Sequence, residues 1–166
     1  MRDVLIALVP AAAAALYFFR GEALRLMVVC IASCLATEWG CRRAMQRDNT
    51  LGDLSAVVTG LLLAFNLPPG LPSWMAAVGS VFAIAVAKQV FGGLGYNPFN
   101  PALIGRAFLL VSFTGPMTTW SASLVDATST ATPLGMVKEA LKAGQALPFE
   151  LTGGMARDFL LGNMNG

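Results

Sequence analysis

A hydroxyl-rich segment near residue 130 is the first candidate for chemistry in this sequence. Residues 126–134 read DATSTATPL, so the carboxylate of Asp126 heads a run of serine and threonine side chains. Such side chains hydrogen-bond to neighbouring backbone groups and form turns. The residue types alone therefore predict a polar turn, and they do not select one hydroxyl over another.

A glycine-rich stretch with two Asn-Pro pairs, GGLGYNPFNP, occupies residues 92–101. It lacks the preceding strand and βαβ unit of a nucleotide-binding loop. Each proline disfavours helix at the asparagine before it, and Asn100 can cap a helix that begins at Pro101. Broken helices of this kind build ion and substrate sites in transporters. A tight turn without a ligand is the alternative of equal weight.

Several charged residues lie in or beside apolar segments. Arg106 falls about one and a half turns into such a segment, where an arginine costs several kcal/mol unless it is paired or reaches water. We expect it to reach a carboxylate, helix-end carbonyls or an anionic cofactor. Lys88 is predicted to extend its amine to the membrane surface. Glu38 and Asp53 are predicted to lie at the interface, with a cation entrance as the less favoured alternative.

The cysteine and histidine residues of the sequence limit the kinds of metal site that the chain can form. Cys30, Cys34 and Cys41 are spaced by four and seven residues and share one helix face. They could touch a metal or cluster at a subunit interface, but small packing residues of a membrane helix are the favoured interpretation. Because the chain has no histidine, His-ligated haem or zinc and His-based acid–base catalysis are excluded.

The composition sets the class of protein. Of 166 residues, 56% are hydrophobic and only 12% are charged, with a mean hydropathy of +0.67. Soluble domains carry about 25% charged residues, so a water-exposed surface cannot be built from this supply. The net charge of +2 gives no reason to expect a nucleic-acid partner. The sequence predicts an all-α, polytopic membrane helical bundle.

About five transmembrane helices and the start of a sixth can be predicted along the chain. The apolar blocks are long enough to cross roughly 30 Å of hydrocarbon, some of them only with flanking residues or inside a larger bundle. No small-residue cleavage site follows the first block, so it is expected to stay in the membrane. The predicted helices cover residues 4–19, 23–37, 54–67, 74–91 and 101–113. We divide the single membrane domain into a five-helix repeat over 1–113, a loop over 114–153 and a further helix beginning within 154–166.

The basic residues predict the orientation. Residues 41–48 contain the only cluster of arginines, so the positive-inside rule places this loop in the cytoplasm. Counting spans from there puts the amino terminus and residues 92–100 inside and residues 68–73 outside. The segment that holds Thr132 then lies on the extracytoplasmic side.

Long stretches of the sequence resemble a known family of membrane redox subunits. The pattern Asp126-x-x-Ser129-x-Ala131-Thr132 is similar to the flavinylation motif of the D subunit of the Rnf ferredoxin:NAD oxidoreductase and the B subunit of the sodium-pumping NADH:quinone oxidoreductase. The stretches SAVVTGLLLA at 55–64, AKQVFGGLG at 87–95 and NPFNPALIGRAFL at 97–109 resemble the same family in the same order. MTTW at 117–120 looks more like the Rnf branch.

The resemblance implies a covalent cofactor. In this family the final threonine of the motif is joined to FMN through a phosphoester by a flavin transferase that uses FAD. Carried over, Thr132 would hold FMN, while Asp126, Ser129 and Ala131 would be read by the transferase. Thr130 stands where the family usually has glycine, and this departure is not expected to block modification. Arg106 is a further candidate contact to the anionic cofactor.

The resemblance also implies the kind of complex to which the chain belongs. The family resembles a ten-helix protein made of two five-helix repeats, and this chain corresponds to the first repeat with the attachment loop, as expected of a truncated or split gene product. We expect an electron-transfer subunit of an ion-translocating redox complex in the bacterial inner membrane, without an independent catalytic site. Its partners would be membrane lipid, the other subunits, the flavin transferase, and sodium ion or proton. The alternatives are a flavin-free transporter or channel module and an inactive fragment.

Overall fold

The computed structural model describes residues 1–48, 50–119, 141–142 and 144. The chain divides into two compact units, Met1–Trp120 and Ser121–Gly166. In the second unit, Leu141 and Lys142 are helical and exposed, and Gly144 has a φ of 63°. All the elements described below belong to the first unit.

Helix α1 covers Arg2–Ala44 and contains one break. Arg20 has φ 48° and ψ −125°, so it leaves the helical region and divides α1 into residues 2–19 and 21–44. These two parts correspond to the first two predicted helices. The predicted connection between them is reduced to this break, and the second part continues beyond residue 37 to Ala44. Arg42 and Arg43 in its last turn are favourable there because the helix dipole is negative at that end.

Helix α2, Ser55–Phe65, follows a 3₁₀ turn at Leu51–Asp53. Asp53 lies beside this helix start, where its Oδ1 accepts the Ser55 amide at 2.7 Å and satisfies a backbone donor. With 11 residues, α2 is about 16 Å long at 1.5 Å per residue, so it cannot cross the hydrocarbon layer alone. Most of its side chains are buried among the other helices.

Helix α3, Ser73–Ile84, continues directly into a π turn at Ala85–Gln89. Helix α4, Pro101–Ser112, begins where the sequence predicts, and Asn100 Oδ1 accepts the Ala102 amide at 3.0 Å. A short helix α5, Thr114–Thr118, lies in the segment predicted to be a loop.

Close helix crossings are made at glycines. A Cβ on Gly60 of α2 would lie 2.8 Å from the Ile31 Cα of α1, and one on Gly105 of α4 would lie 2.9 Å from the Gly79 carbonyl oxygen of α3. Membrane helices associate through such small residues because the backbones can then approach closely. Cys30 and Cys34 are fully buried in the core and Cys41 is half-buried, as packing residues of this kind would be.

The fold class is the predicted one. Within the described ranges all regular structure is helical, and α1 is long and apolar enough to cross a membrane. Three shorter apolar helices, Ser55–Phe65, Ser73–Gln89 and Pro101–Ser112, complete an all-α membrane bundle. Counting the two parts of α1, the bundle has the five apolar segments that were predicted. The predicted start of a sixth helix lies outside the described residues.

Candidate functional site

A charged pair is buried where the second part of α1 meets the π turn. Glu38 is 0% exposed and Lys88 is 2% exposed, and Lys88 Nζ lies 2.8 Å from Glu38 Oε1. The prediction that Lys88 extends its amine to the membrane surface is therefore wrong, because the amine is buried against Glu38. The interfacial depth of Glu38 stays a prediction, and its carboxylate is enclosed by protein. Each of the two charges can be buried inside the bundle because the other neutralises it.

The pair is the centre of a hydrogen-bond network from four segments. Glu38 Oε1 also accepts hydrogen bonds from Thr50 Oγ1 at 3.0 Å and from Gln89 Nε2 at 3.1 Å. Lys88 Nζ donates a second bond to Ser55 Oγ at 2.5 Å. The network thus ties α1 to the 3₁₀ segment, the start of α2 and the π turn.

The two successive side chains that reach the same carboxylate lie in the π turn. In an α-helix, neighbouring residues point about 100° apart, so Lys88 and Gln89 would face different neighbours. Here the residues of Ala85–Gln89 form a π turn instead, and both side chains contact Glu38. Such turns occur frequently at functional sites.

Two oxygen atoms in the network lack donors. Within the described residues, Glu38 Oε2 and Gln89 Oε1 are buried and accept no hydrogen bond. All three donors to Glu38 converge on its other oxygen. An unpaired buried acceptor costs about 1–3 kcal/mol, so this region of the bundle is polar and costly to build.

Arg106 of α4 finds a neutral partner. Its Nη1 donates to Asn66 Oδ1 at 3.0 Å, and Asn66 Nδ2 in turn donates to the Leu62 carbonyl at 2.8 Å. This partner is not one of the expected ones: the acceptor is the side-chain amide of Asn66, the residue that caps the end of α2, rather than a carboxylate or a backbone carbonyl. Arg106 and α2 are fixed to each other by this contact.

A second arginine holds the buried connection between α2 and α3. Arg25 donates to the Pro69 carbonyl at 3.2 Å, the Leu71 carbonyl at 3.0 Å and Ser73 Oγ at 3.1 Å. Buried backbone carbonyls cost free energy unless they accept a hydrogen bond from a partner. Arg25 supplies those partners and was not predicted to do so.

The glycine-rich stretch forms a compact turn. Gly92, Gly93 and Gly95 have φ values of 109°, 104° and 90°, a region that side chains rarely adopt. Asn97 Nδ2 donates to the Phe99 carbonyl at 2.7 Å and closes the turn. The stretch is therefore a tight turn in shape, and the ion or substrate site that broken helices build stays a prediction.

The predicted flavin-attachment residues lie outside the part of the chain that contains this network. Asp126, Ser129, Thr130, Ala131 and Thr132 are not among the described residues. Arg106 is thus the one predicted cofactor-binding residue whose surroundings are described. In the described ranges, no group of three or more Cys, Asp or Glu residues is arranged to hold a metal ion.

An apolar helical bundle with internally paired charges defines a polytopic membrane protein. A family model described as the NQR2, RnfD, RnfE family matches residues 1–166, and the chain belongs to that family.

Curated relatives support the same membership. The chain is 52% identical over 139 residues to the D subunit of the Na(+)-translocating ferredoxin:NAD(+) oxidoreductase complex of Acetobacterium woodii, covering 83% of this chain and 44% of the relative. It is 44% identical over 169 residues to the proton-translocating counterpart of Clostridium ljungdahlii, covering 100% of this chain and 51% of the relative. The D subunit of the ion-translocating oxidoreductase complex of Escherichia coli is 47% identical over 119 residues, or 70% of this chain and 34% of the relative. The chain therefore spans about half the length of the curated relatives it matches, or less.

Proposed function

We propose that this chain is an electron-transfer subunit of an ion-translocating ferredoxin:NAD oxidoreductase complex and that Thr132 carries covalently bound FMN. The observation that carries the proposal is the family match over residues 1–166 together with the motif at 126–132. The relatives, which are named as D subunits of such complexes, support the setting.

The attachment chemistry requires a hydroxyl at residue 132. The Thr132 oxygen attacks the FMN phosphorus of FAD, a new P–O bond forms, and AMP leaves with the electrons of the broken pyrophosphate bond. The hydroxyl proton goes to a base of the flavin transferase. The product is a phosphoester, and Asp126, Ser129 and Ala131 serve as the recognition sequence around it.

The bundle supplies the membrane setting for electron transfer. FMN held by Thr132 would supply redox chemistry between neighbouring flavin or iron–sulfur subunits, while the complex would move an ion across the bacterial inner membrane. One relative is named for sodium and another for protons, so the family name does not select the ion. The attachment loop lies on the extracytoplasmic side in this proposal, as the span count predicts.

The proposal is tested by flavin fluorescence of the denatured chain after co-expression with a flavin transferase. We expect a fluorescent band for the unmodified sequence and none for Thr132→Ala. Thr130→Gly is the matched control, because it restores the residue usual in the family and removes a neighbouring hydroxyl. Its band should be retained. Fluorescence in the Thr132→Ala protein would contradict the assignment.

A further inference from the structure

One end of the bundle combines arginines with exposed aromatic side chains. Arg42, Arg43 and Arg47 lie at or just after the end of α1. The turn that follows the π turn packs against Arg42, since a Cβ on Gly93 would lie 2.6 Å from Arg42 Nη2. We call these arginines, together with the turn at residues 91–99, the basic end.

The basic end has a net positive charge, since its three arginines stand against one neighbouring carboxylate, the exposed Asp48 that follows Arg47. Among the described residues, the salt bridges are Glu22–Arg25 and Glu38–Lys88, so the three arginines of the basic end have no ion pair there. The nearest carboxylate along α1, Glu38, is buried and engaged by Lys88. Arg42 Nε is buried and finds no acceptor in the part of the chain that the structure describes. An external anion would therefore compensate the charge of the three arginines.

The apolar side chains of the basic end indicate what supplies that anion. Phe91, Tyr96 and Phe99 are 49%, 77% and 67% exposed, and Trp39 is 53% exposed beneath the Arg43 guanidinium at 5.9 Å. Aromatic rings concentrate at the headgroup level of a bilayer, where the ring is apolar and its edge is wet. Basic pockets between membrane helices on the cytoplasmic side bind anionic lipid headgroups.

We propose that the basic end is a binding site for an anionic phospholipid, whose headgroup phosphate is held by Arg42 and Arg43. The phosphate oxygens accept hydrogen bonds from the two guanidinium groups, and the aromatic side chains contact the glycerol and upper acyl region. The Arg42 guanidinium occupies the space beside Gly93, so a side chain at residue 93 would displace it.

Lipid binding by the intact complex that contains this chain tests the proposal. The complex is placed in nanodiscs of phosphatidylcholine with or without cardiolipin, and bound cardiolipin is measured by native mass spectrometry. Since one arginine near an anionic surface contributes about fivefold in affinity, Arg42→Gln with Arg43→Gln should weaken binding by about 25-fold. Arg20→Gln removes an exposed arginine elsewhere and should change binding little. Unfolding in phosphatidylcholine alone checks that each variant is folded.

Gly93→Ala and Gly95→Ala form a second, charge-neutral test. Both glycines have positive φ, so both substitutions strain the backbone, but a Cβ meets Arg42 only at Gly93 and meets nothing within 4 Å at Gly95. Gly93→Ala should therefore weaken cardiolipin binding more than Gly95→Ala. Equal cardiolipin binding by the double arginine variant and the unmodified complex would overturn the proposal. Loss of another subunit from that variant with unchanged lipid binding would overturn it too, by assigning the surface to a protein partner.

Discussion

At the scale of single residues, the Glu38–Lys88 pair is the feature that most constrains the bundle. Both side chains are almost fully buried, and their network reaches Thr50, Ser55 and Gln89. Removing one partner leaves an uncompensated charge in a medium of low dielectric constant, whereas removing both does not. The pair therefore restricts the packing of α1, α2 and the π turn to arrangements in which the two charges meet.

Lys88→Met should lower the free energy of unfolding by about 3–5 kcal/mol, because Glu38 is then a buried charge without a partner. Adding Glu38→Gln should recover a large part of that loss. The measurement is unfolding of the detergent-solubilised protein with increasing SDS. Glu22→Gln is the control, since the Glu22–Arg25 pair is solvent-exposed and should be worth less than about 1 kcal/mol. Equal losses for Lys88→Met and Glu22→Gln would contradict this account.

The pairing of Glu38 with Lys88 could not be found from local sequence, since 50 positions separate the two residues. A signal was available: each is a charge near the cytoplasmic end of a predicted span, and membrane helices pair such charges. The π turn leaves no comparable signal, because its residues read as ordinary helix. Arg106 was recognised as needing a partner, but nothing near it in sequence identifies Asn66.

At the scale of elements, apolar segments and proline positions predict the helices well. Pro101 and Asn100 locate the start of α4, and the five apolar segments match the observed helical ones. The sequence did not predict that α1 runs to Ala44. Span length follows hydrophobicity, whereas residues 38–44 remain helical through tertiary contacts and the arginines at the end of the helix.

Gly60→Ala tests the crossing of α1 and α2. The new Cβ would lie 2.8 Å from the Ile31 Cα, and backbone cannot move aside as a side chain can. We expect a loss of about 1–3 kcal/mol in unfolding free energy, typical of overpacking. Gly40→Ala is the matched control in α1, because nothing lies within 4 Å of its Cβ position. It should be neutral or stabilising by up to about 1 kcal/mol from helix propensity. A Gly60→Ala protein as stable as the Gly40→Ala protein would show that the helices do not cross there.

At the scale of the whole molecule, the proposed function rests on the family membership of the chain and on its orientation in the membrane. The chain belongs to the NQR2, RnfD, RnfE family over residues 1–166, a relationship that the ordered motifs at 55–64, 87–95 and 97–109 had indicated. The position of the attachment loop relative to the membrane stays a prediction from the arginines at 42–47. The proposed modification of Thr132 depends on this position, because a flavin transferase would have to reach the side on which the loop lies.

Single-cysteine labelling tests the orientation. In a protein whose Cys30, Cys34 and Cys41 are replaced by alanine, Ser123→Cys should react with a membrane-impermeant maleimide added to intact cells. Arg47→Cys should react only after the cells are opened, since residues 41–48 are predicted to be cytoplasmic. The reverse pattern would place Thr132 inside.

The central claim is that Thr132 carries FMN, and peptide mass spectrometry tests it most directly. The chain is purified after co-expression with a flavin transferase and digested, and the peptide that contains residue 132 is fragmented. The account predicts a mass increase equal to one FMN less one water, with fragments that assign it to Thr132. The account would be contradicted if Thr132 were unmodified after co-expression with an active transferase. It would also be contradicted if the same mass increase were found on Ser129 or Thr130 instead.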